Sequence, residues 1–81
     1  MPTKLMDLDR AQKMLREALG FDEPIALTTT LVEDLGIDEI DAVEIELILE
    51  EELAIELPDD WLDATRTVGD LIHRVNVLGQ R

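Results

Sequence analysis

Hydrophobic residues in the first quarter of the chain recur every three or four positions, which is the period of an α-helix. Between Thr3 and Leu19 these positions are Leu5, Leu8, Ala11, Leu15, Ala18 and Leu19. Gly20 follows directly, and glycine commonly ends a helix because it tolerates the left-handed conformation. The pattern therefore predicts a first helix over 3–19.

A loop with turn-forming residues follows this helix. Residues 21–36 include Pro24, three consecutive threonines, and the pair Thr30 and Glu33, whose spacing is typical of a capping box. We expect a long ordered loop that contains one short capped turn.

The next hydrophobic segment again has the helical period. Asp38 provides a side-chain acceptor for the free amides of a second helix, which runs to about Leu53. Glu39 and Asp41 lie in its first turn, where the helix dipole favours negative charge. Pro58 is expected to set the limit of this helix, since proline cannot continue it.

Two further helices are predicted in the C-terminal part of the chain. The stretch from Asp59 to Asp63 is long enough only for a short third helix. Thr67 and Asp70 have capping-box spacing. Hydrophobic residues recur after Thr67 with the helical period: Val68, Leu71, Ile72, Val75 and Leu78. Gly79 is expected to end this helix. No segment alternates with the period of a strand. The expected fold is therefore an all-α bundle of three longer helices and one short helix.

Hydrophobic side chains of the second helix fall on two opposite sides when placed at about 100° intervals. One stripe consists of Ala42, Ile45, Leu49 and Leu53, and the other of Ile40, Val43 and Leu47. Carboxylates border the second stripe: Glu44 and Glu51 on one side, Glu39, Glu46 and Glu50 on the other. Burying that stripe would desolvate these charges with no base nearby. We predict that it stays exposed as a binding strip; the alternative is a central helix with both stripes covered.

The charge of the chain is strongly negative and unevenly distributed. Seven Lys and Arg oppose 20 Asp and Glu, which gives a net charge of −13. No base lies between Glu17 and Thr65, a segment that holds 17 of the 20 acids. Because nucleic acids and anionic lipids repel such a surface, we expect a basic protein surface as partner, and neither nucleic acid nor a membrane. A merely solubilising acidic surface is the alternative.

The length of 81 residues allows a single domain, 1–81, with a core of about residues 4–78 and little room for a catalytic cleft. The absence of cysteine excludes disulfides and thiolate zinc sites, and the acid spacing fits no calcium loop. No apolar run is long enough to cross a bilayer. We expect a cytoplasmic monomer that is not an enzyme and has no dedicated metal site; weak binding of divalent cations by the acidic clusters stays open as an alternative.

Several segments, in order and without a gap, resemble the acyl carrier protein family. The run from Leu31 to Glu44 reads Leu-Val-Glu-Asp-Leu-Gly-Ile-Asp-Glu-Ile-Asp-Ala-Val-Glu, which is similar to the family pattern Glu-Asp-Leu-Gly-x-Asp-Ser-Leu-Asp-x-Val-Glu. Segments 50–53, 55–59 and 67–72 resemble the acidic end of the family's second helix, its isoleucine-proline-aspartate loop and its final helix. This resemblance, over about Leu5 to Val75, implies an up-down bundle that carries acyl groups on a 4′-phosphopantetheine arm and docks to synthases through helix two.

One position departs from the family pattern. Glu39 stands where the family has the serine that is esterified to phosphopantetheine, directly after Asp38, and the chain contains no serine or cysteine. A carboxylate has no hydroxyl that could attack the diphosphate of coenzyme A, so no cofactor is expected on this chain. Two roles for Glu39 stay open: stabilisation of the helix start, or replacement of the negative charge of the arm's phosphodiester.

The expected function is that of an acyl-carrier-like interaction module of fatty-acid or polyketide metabolism. It would dock on basic surfaces of acyl-chain-processing enzymes, such as synthases or acyl transferases, through Ile40, Asp41, Val43, Glu44, Leu47, Glu50 and Glu51. Two alternatives are a genuine carrier whose serine has been substituted in this chain, and an acidic inhibitor or mimic that occupies a basic site.

Overall fold

The computed structural model describes residues 6–79, which form three α-helices: α1 Leu8–Leu19, α2 Glu39–Leu53 and α3 Val68–Gly79. Helix α1 packs against both α2 and α3. Within the described residues there is no β-strand, and a single isolated bridge joins Thr30 to Thr67. The three longer helices are confirmed, whereas the up-down arrangement stays a prediction.

The helix starts follow from side-chain caps. Asp7 caps α1 by accepting from the Arg10 amide at 2.9 Å, so this helix begins at Leu8 rather than near Thr3. Residues 1–5, which include Leu5 of the predicted first helix, lie outside the described part. Asp38 caps α2 and forms a capping box with Asp41. Such caps satisfy amides that have no partner inside the helix.

The cap of α3 and the end of α1 are also as predicted. Thr67 Oγ1 accepts from the Asp70 amide at 3.1 Å, and the Asp70 carboxylate accepts from the Thr67 amide at 3.2 Å. Gly20 is left-handed, with φ of 68°, and its amide donates to the Arg16 carbonyl at 2.8 Å. Gly79 is the last residue assigned to α3 rather than a residue beyond it.

Helix α2 ends for a reason that differs from the expected one. Ala54, directly after Leu53, takes the left-handed conformation with φ of 55°, four residues before Pro58. Proline therefore does not set the limit of this helix. The left-handed conformation costs a residue with a Cβ about 1–2 kcal/mol, whereas glycine adopts it freely.

Replacing Ala54 by glycine is expected to raise the free energy of unfolding by about 1 kcal/mol, because it removes this conformational cost. The measurement is urea denaturation followed by circular dichroism. Ala18→Gly is the matched control, since Ala18 lies inside α1 and glycine there should cost about 1 kcal/mol. A loss of stability in both variants would contradict the left-handed conformation of Ala54.

The predicted short third helix is not a helix. Residues 59–64 form consecutive turns, in which the Trp61 amide donates to the Pro58 carbonyl and the Asp63 amide to the Asp60 carbonyl. The Trp61 ring is buried at 1% exposure, and the Thr65 hydroxyl donates to the Trp61 carbonyl at 2.6 Å. The segment is thus ordered by its buried indole, without the length for a regular helix.

The loop between α1 and α2 is attached to the start of α3. The Leu31 amide donates to the Arg66 carbonyl, and the Val68 amide donates to the Thr29 carbonyl, both at 2.9 Å. The predicted pairing of Thr30 with Glu33 is wrong by one residue: Thr30 exchanges hydrogen bonds with Asp34, at 2.9 and 3.0 Å. This loop is therefore held in place on the side of the bundle where α2 begins.

Candidate functional site

The two hydrophobic stripes of α2 have opposite environments. Ile45 and Leu49 are fully buried at 0% exposure and Ala42 is buried. On the other side, Ile40 is 78% exposed, Val43 57% and Leu47 60%. The stripe bordered by carboxylates is thus the exposed one, as predicted, because its neighbours keep their hydration there. We call Ile40, Val43 and Leu47 the docking strip.

The rim of the docking strip carries negative charge without compensation. Helix α2 contains seven carboxylates and no base. Of these, Glu52 forms an ion pair with Arg10 at 3.6 Å, on the flank of α2 that faces α1. Glu44 and Glu51 are exposed. A hydrophobic centre with a charged edge of one sign is the usual anatomy of a surface that recognises a partner of opposite charge.

Two residues of the predicted docking set also hold the fold together. The Glu50 carboxylate accepts from the Leu57 amide at 3.1 Å, which joins α2 to the chain that follows it. The Asp41 carboxylate accepts from the Asp38 amide at 3.4 Å as part of the cap. Among the carboxylates of that predicted set, Glu44 and Glu51 make no such bond within residues 6–79. The Glu50 contact could not be read from the sequence, since nothing in the local pattern marks Leu57 as its partner.

Glu39 is the first residue of α2 and is exposed. It borders a groove of about 370 Å³ between α2 and the 59–64 turns, together with Ala42, Val43, Glu46, Asp59, Asp60, Leu62 and Asp63. Five carboxylates therefore surround this groove, which will attract cations and repel an anionic ligand. The structure brings Glu39 and Val43 together on one side of it.

Glu46, on the side of α2 next to this groove, is half-buried. Partial burial raises the pKa of Glu46 above its ordinary value, and the neighbouring charges of Glu50 and Asp59 add to the effect. In contrast, hydrogen bonds from the amide and hydroxyl of Thr30 lower the pKa of Asp34. The pKa of Asp70 is also lowered, chiefly by the hydrogen bond from the Thr67 amide. Hydrogen bonds to a carboxylate favour its charged form, and burial disfavours it.

Replacing Glu46 by glutamine is expected to raise the melting temperature at pH 7. Because the pKa of Glu46 is raised in the folded state, its ionised form costs stability at neutral pH. That cost disappears as the pH falls through the raised pKa and below the ordinary glutamate pKa of about 4.3. The gain in melting temperature should therefore shrink towards pH 4 in a calorimetric pH series. Glu44→Gln removes the same charge from an exposed position, and an equal gain at every pH in both variants would contradict this origin.

The described residues contain no group of three or more His, Asp or Glu side chains that could hold a metal ion. None of the helices between residues 6 and 79 is long and apolar enough to span a membrane.

The family of the chain follows from comparison with known proteins. Residues 9–75 match the family described as the phosphopantetheine attachment site. An acyl carrier protein of Clostridium perfringens is 35% identical over 68 residues, which cover 83% of this chain and 90% of that protein. This chain belongs to the acyl carrier protein family. An acyl carrier protein of Sinorhizobium fredii is 38% identical over 65 residues, covering 79% of this chain and 83% of the other.

The fold agrees with this assignment. The structure is similar to that of a candidate acyl carrier protein from Mycobacterium tuberculosis, with a TM-score of 0.76, 28% identity, and coverage of 85% of this chain and 93% of that one. Acyl carrier proteins are carriers rather than enzymes, and the family normally bears 4′-phosphopantetheine. In this acyl carrier protein family member, Glu39 is the exposed first residue of α2, and its equivalence to the attachment serine stays a prediction from the sequence.

Proposed function

We propose that this acyl carrier protein family member docks on acyl-chain-processing enzymes through α2 without carrying an acyl group by the usual serine attachment. The observation that carries the proposal is the exposed docking strip with its uncompensated acidic rim, in a chain that contains no serine. The chain thus has an exposed surface to which a partner can bind, but it lacks the serine to which phosphopantetheine is usually attached.

The threonines between residues 6 and 79 are poor substitutes for that nucleophile. The hydroxyls of Thr29, Thr30 and Thr67 each accept a hydrogen bond from a backbone amide, and the buried Thr65 hydroxyl donates to a carbonyl. Thr28 lies in the loop, ten positions before the cap of α2 at Asp38. Transfer of phosphopantetheine requires a hydroxyl at a position that the transferase can recognise. We take residue 39 as that position, because the run from Leu31 to Glu44 resembles the family pattern.

Glu39 contributes a fixed negative charge at the helix start. There it interacts with the helix dipole, which favours an anion by about 0.3–1 kcal/mol. The same charge lies close to where an attached phosphodiester would be. A basic partner site can therefore meet an anion at this position even when the arm is absent.

The docking part of the proposal is tested by binding to a ketoacyl synthase of fatty-acid synthesis. Glu44→Lys and Glu51→Lys are each expected to weaken binding about five- to thirtyfold at low salt, because an attractive charge becomes a repulsive one. The loss should shrink as salt is added, and helicity should stay unchanged. Glu23→Lys makes the same charge change at an exposed loop position; an equal loss there would show that net charge alone matters, and that α2 is not the docking element.

The non-carrying part is tested by intact mass. When the protein is coexpressed with a broad-specificity phosphopantetheinyl transferase, its mass should stay that of the unmodified chain. A product heavier by one phosphopantetheine would overturn this part, favour the genuine carrier, and leave the docking surface unaffected.

A further inference from the structure

A positively charged side chain lies beside the acidic docking surface. Arg66 is exposed and borders a groove of about 350 Å³ with Thr30, Val32, Glu33, Leu62, Asp63 and Thr65. Leu62 and Asp63 also line the groove next to Glu39 and Val43. The two grooves therefore adjoin at Leu62 and Asp63, and a partner that covers the start of α2 and this loop lies within reach of Arg66.

The backbone of Arg66 is fixed, while its charged group is available. Its carbonyl accepts from the Leu31 amide at 2.9 Å, and its amide donates to the Asp70 carboxylate at 3.3 Å. Within residues 6–79 the Arg66 guanidinium has no carboxylate at ion-pair distance, although Glu33 and Asp63 border the same groove. A guanidinium on a fixed stem can donate two parallel hydrogen bonds to a carboxylate.

A hydrophobic side chain is also exposed beside Arg66. Val32, which lines the same groove, is 55% exposed, close to the 57% of Val43 on the docking strip. The surface thus has a hydrophobic centre, an acidic rim on α2 and one base at its far edge. A partner face that is basic throughout would meet a like charge at Arg66, and like charges across an interface disfavour that arrangement.

We propose that Arg66 fixes the orientation of the docked partner by pairing with an aspartate or glutamate on it. The partner surface then carries bases opposite α2 and one carboxylate opposite the loop that contains Arg66. This inference rests on the proposed docking function and adds a direction to it, because a partner rotated on the docking strip loses the Arg66 contact.

The test uses synthetic helical peptides as the partner surface. One peptide carries four lysines on one face, and four others each have a glutamate at one of these lysine positions. Their dissociation constants are measured by NMR titration of the ¹⁵N-labelled full chain and of its variants Arg66→Glu and Arg74→Glu. Arg74 lies on α3 in a different groove, with Asp70 and His73, so the second variant has the same net charge but leaves the docking side unchanged.

For each protein we compare two affinities: that for a glutamate-containing peptide and that for the all-lysine peptide. The measured quantity is the ratio of the first to the second, taken for the glutamate position at which the unsubstituted protein binds most tightly. Arg66→Glu should lower this ratio about threefold or more, in the range that exposed ion pairs support, while Arg74→Glu should leave it unchanged. An unchanged ratio in Arg66→Glu, or an equal change in both variants, overturns the orientation role and leaves docking intact. If no peptide shifts the amides of Val43 and Leu47, the docking function itself fails and this inference with it.

Discussion

Replacing Leu49 by alanine is expected to lower the free energy of unfolding by about 2–5 kcal/mol, the usual cost of truncating a buried leucine. Leu49 is fully buried, whereas Leu47 on the same helix is 60% exposed. Leu47→Ala should therefore change stability by about 0.5 kcal/mol or less. Both variants make the same chemical change two residues apart in α2, so the difference between them isolates burial. Urea denaturation followed by circular dichroism measures it at fixed pH and salt.

The same pair separates stability from binding. Leu47→Ala should weaken binding to the ketoacyl synthase while the helices stay intact, because it removes hydrophobic area from the docking strip. Equal destabilisation by the two substitutions would show that both stripes of α2 are covered in solution. In that case the docking strip would be part of the core, and the proposed function would lose its surface.

Replacing Glu39 by serine is expected to change the protein from unmodified to fully modifiable. The new hydroxyl would lie at the exposed first residue of α2, after the intact Asp38 cap. Coexpression with a broad-specificity phosphopantetheinyl transferase should then add the mass of one phosphopantetheine. The substitution should cost only about 0.3–1 kcal/mol of stability, through loss of the charge at the helix dipole.

Glu44→Ser is the matched control for this experiment. It places a serine on the same helix at an exposed position, but more than one turn after the helix start, and it should stay unmodified. If Glu39→Ser is folded by circular dichroism and stays unmodified, residue 39 is not a functional attachment position in this chain. Modification of both variants would show that any serine on α2 is accepted.

The extent to which the sequence predicts this fold depends on the range of the interactions. The three helices were predictable from their hydrophobic period, and so were the caps of α2 and α3, because the residues involved, such as Asp38 and Asp41, lie within a few positions of one another. The Asp7 cap, which starts α1 at Leu8, was not predicted. The end of α2 at Ala54 was not, since alanine has no preference for the left-handed conformation. The 59–64 segment was expected to be helical and instead forms turns around the buried Trp61.

The candidate site divides in the same way. From the sequence alone came the family resemblance, the absence of serine, and the exposure of Ile40, Val43 and Leu47, because the carboxylates beside that stripe would lose hydration if it were buried. Only the tertiary structure decided that Glu50 holds the Leu57 amide and that Arg66 lines a groove adjoining the one at the start of α2. The physical reason is that both depend on loops brought against α2 and α3 by packing, and no local pattern records which side chains such packing places together.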